Sequence, residues 1–150
     1  MKTKLQMASL ALLILSGAST LAGGTGPRDP GALVGAWRMT SLEVGTPGNL
    51  RRVPYSGQII FTKSGTMSVQ AMNPDVNAPD TPYTVNGYEA FYGTVNVNQA
   101  AGTFVVTVQS AAARALIGQR LTRNFSVSEK RLVLTPTNPA EGWRVTYERF

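Results

Sequence analysis

The chain has 150 residues, a formal charge of +6, 15 Gly and 9 Pro, and it contains neither Cys nor His. One domain with one core fits that length, and the Gly and Pro content favours a turn-rich all-β fold over a helical bundle. The two missing residue types exclude disulfides, thiolate metal sites, cysteine nucleophiles and a Ser-His-Asp triad.

Residues 1–22 read as an export signal. Lys2 and Lys4 give a positive start, an apolar run from Leu5 to Leu15 follows, and small residues come next. That run is too short to span a bilayer comfortably, which takes ~20 apolar residues. The expected location is therefore outside the cytoplasm, periplasmic or secreted, with no integral membrane span after processing. Residues 23–32 are rich in Gly and Pro and read as a flexible linker. The folded domain is expected over 33–150.

Eight segments of that domain read as strands: 33–44, 57–63, 66–72, 92–98, 103–109, 119–127, 131–135 and 143–149. Ser64-Gly65 supplies a tight hairpin turn between the second and third. Residues 73–84 hold three Pro, two Asp and two Asn, so a long irregular loop is expected there. Residues 87–91 read as one helical turn. The alanines of 111–117 favour a short helix, capped by Ser110 and stopped by Gly118. Short strands joined mostly by short turns imply an up-and-down antiparallel meander closed into a β-barrel of about eight strands. Eight strands can enclose one small ligand.

Side chains two apart on a strand share a face. This rule puts Leu121, Arg123, Phe125 and Val127 on the core side. It does the same for Met67, Val69 and Ala71, for Phe104, Val106 and Val108, and for Trp143, Val145 and Tyr147. Arg123 stands out, because a guanidinium among core residues needs an anion. Either a ligand supplies it, or an acid such as Glu43, Glu89 or Glu148 does, or the side chain reaches the rim. The candidate ligand-binding residues are Arg123, Phe125, Met67, Val69, Tyr92, Phe104 and Tyr147. No catalytic residue is assigned. Any acid–base chemistry would fall to Glu89, Glu148, Tyr92 or Tyr147. No metal site or cofactor is expected, and the scattered basic residues do not suggest a nucleic-acid partner.

Gly35-Ala36-Trp37 opens the first strand and Arg149 ends the last. True lipocalins begin with G-x-W, and their tryptophan closes the barrel beneath an arginine from near the chain end. Further text agrees in order: Gly57-Gln58-Ile59-Ile60-Phe61-Thr62, Met67-Ser68-Val69-Gln70, Tyr92-Gly93-Thr94, Arg123-Asn124-Phe125 and Arg131-Leu132-Val133-Leu134. Over residues 33–150 the chain resembles the bacterial and fungal lipocalin-like domain family, which is distinct from the true lipocalins. The resemblance implies a barrel closed structurally by Trp37 and Arg149. It also departs from the family pattern. Phe104-Val105-Val106-Thr107 stands where members often carry a His pair, and alanines stand where many carry a tryptophan. The function expected is an exported binding protein for a small apolar or amphipathic molecule, anionic amphiphiles included. The alternatives are a barrel isomerase or cyclase acting on a hydrophobic substrate, and an envelope interaction protein with no small ligand.

Overall fold

A computed structural model describes residues 31–150. The expected signal, 1–22, and all but the last two residues of the expected linker lie outside the described residues. Gly31 and Ala32 open the fold as part of a 3-10 turn, Gly31–Leu33.

Ten strands follow: β1 (Gly35–Thr46), β2 (Asn49–Val53), β3 (Ser56–Phe61), β4 (Thr66–Met72), β5 (Thr84–Val85), β6 (Tyr88–Asn98), β7 (Thr103–Ala111), β8 (Arg120–Val127), β9 (Arg131–Pro136) and β10 (Trp143–Arg149). Every pairing is antiparallel, and β10 pairs back onto β1. Eight strands thus close the barrel in the order β1-β3-β4-β6-β7-β8-β9-β10, as the meander pattern predicts. Closure leaves no long unpaired edge in the barrel wall. The two additional strands are short. β2 runs beside the upper half of β1, while β3 runs beside its lower half. Together β2 and β3 act as one strand broken at Pro54, which has no amide hydrogen to give the ladder. β5 pairs only with the start of β6.

Two segments differ from the sequence reading. Residues 87–91 are not a helical turn, because β6 begins at Tyr88 and pairs with β4 from Tyr88 to Thr94. Sheet pairing with a formed neighbour outweighs the weak local preference of five residues. The alanine segment forms only a 3-10 turn, Arg114–Leu116, since β7 runs on through Ala111. Ala113 rather than Ser110 precedes that turn, and Gly118 follows it at φ +84°.

Two β-bulges re-aim side chains. Thr40 is unpaired between Met39 and Ser41 against β10, so the inward set of β1 becomes Trp37, Met39, Leu42 and Val44. Arg52 Nη2 donates to the Thr40 carbonyl at 2.7 Å, which satisfies an acceptor at the bulge. A second shift lies between Tyr92 and Gly93 against β7.

The barrel has a solid end and an open end. Leu33, Trp37, Phe61, Val97 and Leu132 are fully buried at the solid end. Phe61 meets Phe104 edge to face at 5.5 Å, and Phe104 lies 6.3 Å from Phe125. The Trp37 indole donates to the Leu33 carbonyl at 2.8 Å. The Arg149 guanidinium sits 3.9 Å above the indole and donates to the carbonyls of Ala32, Val34 and Glu129. Gly35 makes this plug possible. Its φ is +134°, and a Cβ there would run into the Arg149 guanidinium. At the open end lie the β1–β2 turn, the 73–83 loop, the β7–β8 connection and the 137–142 connection.

Candidate functional site

The upper half of the barrel encloses a cavity of about 530 Å³ that opens between the 73–83 loop and the 137–142 connection. That volume lies within the ~300–1,000 Å³ of typical ligand pockets. Its walls are mostly aliphatic and aromatic: Met39 and Leu42 of β1, Ile59 of β3, Met67 and Val69 of β4, Phe91 of β6. The aromatic cluster around Phe104 forms the floor, so the cavity ends where the solid end begins.

Strand parity places five of the candidate residues on this cavity: Arg123, Met67, Val69, Phe104 and Tyr147. Two lie elsewhere. Phe125 packs beneath Phe104, below the cavity. Tyr92 is 47% exposed and faces outward, because β6 points Glu89, Phe91, Gly93, Val95 and Val97 inward. The sequence reading began that strand four residues late and assigned no inward set to it. Trp37 and Arg149 form the plug described above.

Arg123 projects inward from β8 at the mouth. It donates to the Tyr83 hydroxyl and to the Thr122 carbonyl, each at 2.9 Å. Its carboxylate partner is Glu141 at 3.8 Å, which is none of the three acids named from sequence. Glu43 is taken by Arg144 at 2.7 Å, and Glu148 lies 3.6 Å from Arg38 on the outer surface. The guanidinium also faces the rings of Trp143 at 5.1 Å and Tyr83 at 5.6 Å. Trp143 donates to Glu141 at 3.3 Å, which ties the cluster together. Arg123 therefore has protein partners on every side that the structure shows, and it fastens the 73–83 loop to the barrel through Tyr83.

The loop is well tied for a segment so rich in Pro. Asp80 accepts from Thr84 Oγ1, from the Asn86 amide and from the Gly87 amide, at 2.8–3.1 Å. Those amides, Gly87 first, hold the Asp80 carboxyl below the usual carboxylate range. Ala78, Pro79, Pro82 and Tyr83 thereby form a roof over part of the cavity.

Glu89 is the polar group that parity of the full strand β6 would have revealed. Protein surrounds most of its carboxyl, while the residue as a whole stays partly exposed and lines the cavity. No hydrogen bond or ion pair within 4 Å is made by its side chain. Burial raises its pKa to about 7, against an opposing pull from the Arg123 charge. Two phenols share this region. Tyr147 is pushed well up by burial and then by the charge of Glu89. Tyr55 is raised by the same two causes in the same order. Tyr55 sits between β2 and β3, outside every strand expected from sequence. Among the described residues no group of three or more Asp or Glu is placed to hold a metal ion.

No family model matches the chain, and no curated protein sequence matches it. A solved structure of a lipocalin-like protein from Bacteroides uniformis is similar, with a TM-score of 0.52 and 16% identity over 80% of this chain and 100% of that one. A redesigned β-barrel is also similar, with a TM-score of 0.46 and 15% identity over 79% of this chain and 92% of that one. The first likeness shows the fold: a closed eight-strand antiparallel barrel of lipocalin-like type. Among the described residues no helix is long and apolar enough to cross a membrane.

Proposed function

We propose that this protein is an exported binding protein that holds one small apolar or amphipathic molecule inside its barrel. The observation that carries the reading is the cavity of about 530 Å³, walled by apolar side chains with a few polar groups among them. Gly45 and Gly142 line the opening, and a Cβ on Gly142 would strike the Gly45 carbonyl there. The lipocalin-like fold supports the same reading, and the charged, apolar and then small-residue order of the first two dozen residues supports export.

Native mass spectrometry of the purified protein tests the binding function. A co-purified small molecule, or saturable 1:1 uptake of a neutral apolar probe that alters Trp143 fluorescence, is the expected result. A barrel that stays empty against every apolar probe overturns it in favour of an interaction protein with no small ligand. N-terminal sequencing of the exported form should place the mature start between Ser19 and Gly24. A chain still beginning at Met1 in the membrane fraction overturns the export proposal.

One observation favours a second reading, a barrel isomerase or cyclase. Of the four candidate acid–base groups, Glu89 and Tyr147 line the cavity, while Glu148 and Tyr92 lie outside it. Recovery of bound molecules unchanged after incubation separates binding from catalysis.

A further inference from the structure

Glu89 is the one acid in the cavity lining that has neither a hydrogen bond nor an ion-pair partner within the protein. The charged and titratable groups that line the cavity come from six parts of the fold. They are Glu89 on β6, Arg123 on β8, Glu141 before β10, the phenols Tyr55 before β3 and Tyr147 on β10, and Tyr83 in the roof. Asp80, behind Tyr55, is consumed by the loop amides. Arg123 is consumed by Tyr83, Thr122 and Glu141. With Glu89 ionised, the lining holds two acids and one base, so it is negative inside a chain that is basic overall. Beside the apolar walls of the cavity, such a carboxylate calls for a partner that carries positive charge and several hydrogen-bond donors.

Resting on the reading of the protein as a binding protein, we propose that the polar group recognised in the cavity is a protonated amine. The ligand is then a cationic amphiphile. Its ammonium group sits against Glu89, within the region of the Tyr55 and Tyr147 hydroxyls, and its hydrocarbon body runs along Met67, Val69 and Phe91. An ammonium has three donors and no acceptor. One carboxylate and two phenol oxygens offer acceptors of the right kind. A fatty acid fits worse, because its carboxylate would meet Glu89, and the cation it needs is already bound to Glu141.

The test uses decylamine, decan-1-ol and decanoate against the full folded domain, with binding read by calorimetry from pH 5 to 8.5. Alkylammonium ions keep their proton to about pH 10, so over this range the ligand's charge is constant and Glu89 is the group that changes. At pH 8.5 decylamine should bind at least about tenfold more tightly than decan-1-ol, and decanoate weakest. The advantage of the amine should shrink as pH falls below about 7, where Glu89 takes up its proton. Glu89→Gln should abolish that advantage at all pH values. A thermal melt of the variant confirms that it is folded. If amine and alcohol bind alike and Glu89→Gln changes neither, the amine proposal fails while the binding function stands. An alcohol that binds more tightly at low pH than the amine does at high pH also overturns it, since protonated Glu89 would then be a donor to neutral ligands. Tightest binding of decanoate overturns it and returns the headgroup to Arg123. Failure of all three probes tells against the binding function itself.

Discussion

At the scale of single residues, three side chains settle how the barrel divides. Trp37 is fully buried and hydrogen-bonded beneath Arg149. Trp37→Ala should cost about 3–5 kcal/mol, the usual loss for a large buried aromatic, measured by denaturant melts. An unchanged midpoint would mean that the plug contributes nothing. Glu89 acts in the opposite direction. Its carboxyl titrates near 7 in the fold against an ordinary value of 4.5, so folding favours the protonated form. The penalty is absent below about pH 4.5, grows as pH rises through the interval, and is complete above about 7. Glu89→Gln should therefore stabilise the empty barrel by up to about 3 kcal/mol at pH 8 and by almost nothing at pH 4. Paired thermal melts at the two pH values check this, and an equal effect at both would refute it. Arg123→Met removes two hydrogen bonds and the Glu141 pair from a group that is 13% exposed. A loss of about 1–3 kcal/mol in the apo protein is expected. A stabilised apo protein would instead mean that Arg123 awaits a ligand anion.

At the scale of elements, the 73–83 loop governs access. Its roof depends on the three bonds to Asp80 and on the Tyr83–Arg123 link. Asp80→Ala should speed amide hydrogen exchange at Asn86 and Gly87 and hasten ligand release, with little change in the exchange of β7 or β8. Uniform protection would show that the Pro residues alone hold the roof. The bulge at Thr40 belongs to the same scale. It shifts the phase of β1 so that Leu42 and Val44 face the cavity beyond Met39. β2 and β5 appear only where a neighbouring strand offers free backbone groups.

For the whole molecule, the architecture separates stability from binding. The lower half is packed around Trp37, Phe61 and Leu132, and the upper half surrounds the cavity. A ligand that binds only the folded barrel stabilises it by about 2.7 kcal/mol at a hundred times its Kd. The melting temperature should accordingly rise by several degrees with a saturating neutral probe such as decan-1-ol, in wild type and in Glu89→Gln alike. A melt that is insensitive to every bound probe would place binding outside the barrel.

Much of this arrangement was legible in the residues. The antiparallel barrel followed from eight alternating segments and their turns, and the inward faces of β4, β7, β8 and β10 followed from parity. Those features depend on local periodicity, which one strand's sequence carries by itself. Gly35, Trp37 and Arg149 were legible through a resemblance, and the structure supplies the physical reason: a glycine without a Cβ lets the guanidinium reach the indole. What local pattern could not decide was set by contacts distant in sequence. Residues 87–91 became strand because β4 offered a partner. That register turned Glu89 into the cavity and Tyr92 out of it. Arg123 found Glu141 because the β8–β9 pairing sets it opposite Pro136, where the β9–β10 connection departs, while the three acids named from sequence were spent elsewhere or left unpaired. Whether eight strands enclose a void or fill it depends on the summed volume of side chains from all of them. No segment contains that sum, and the tertiary structure alone fixes it.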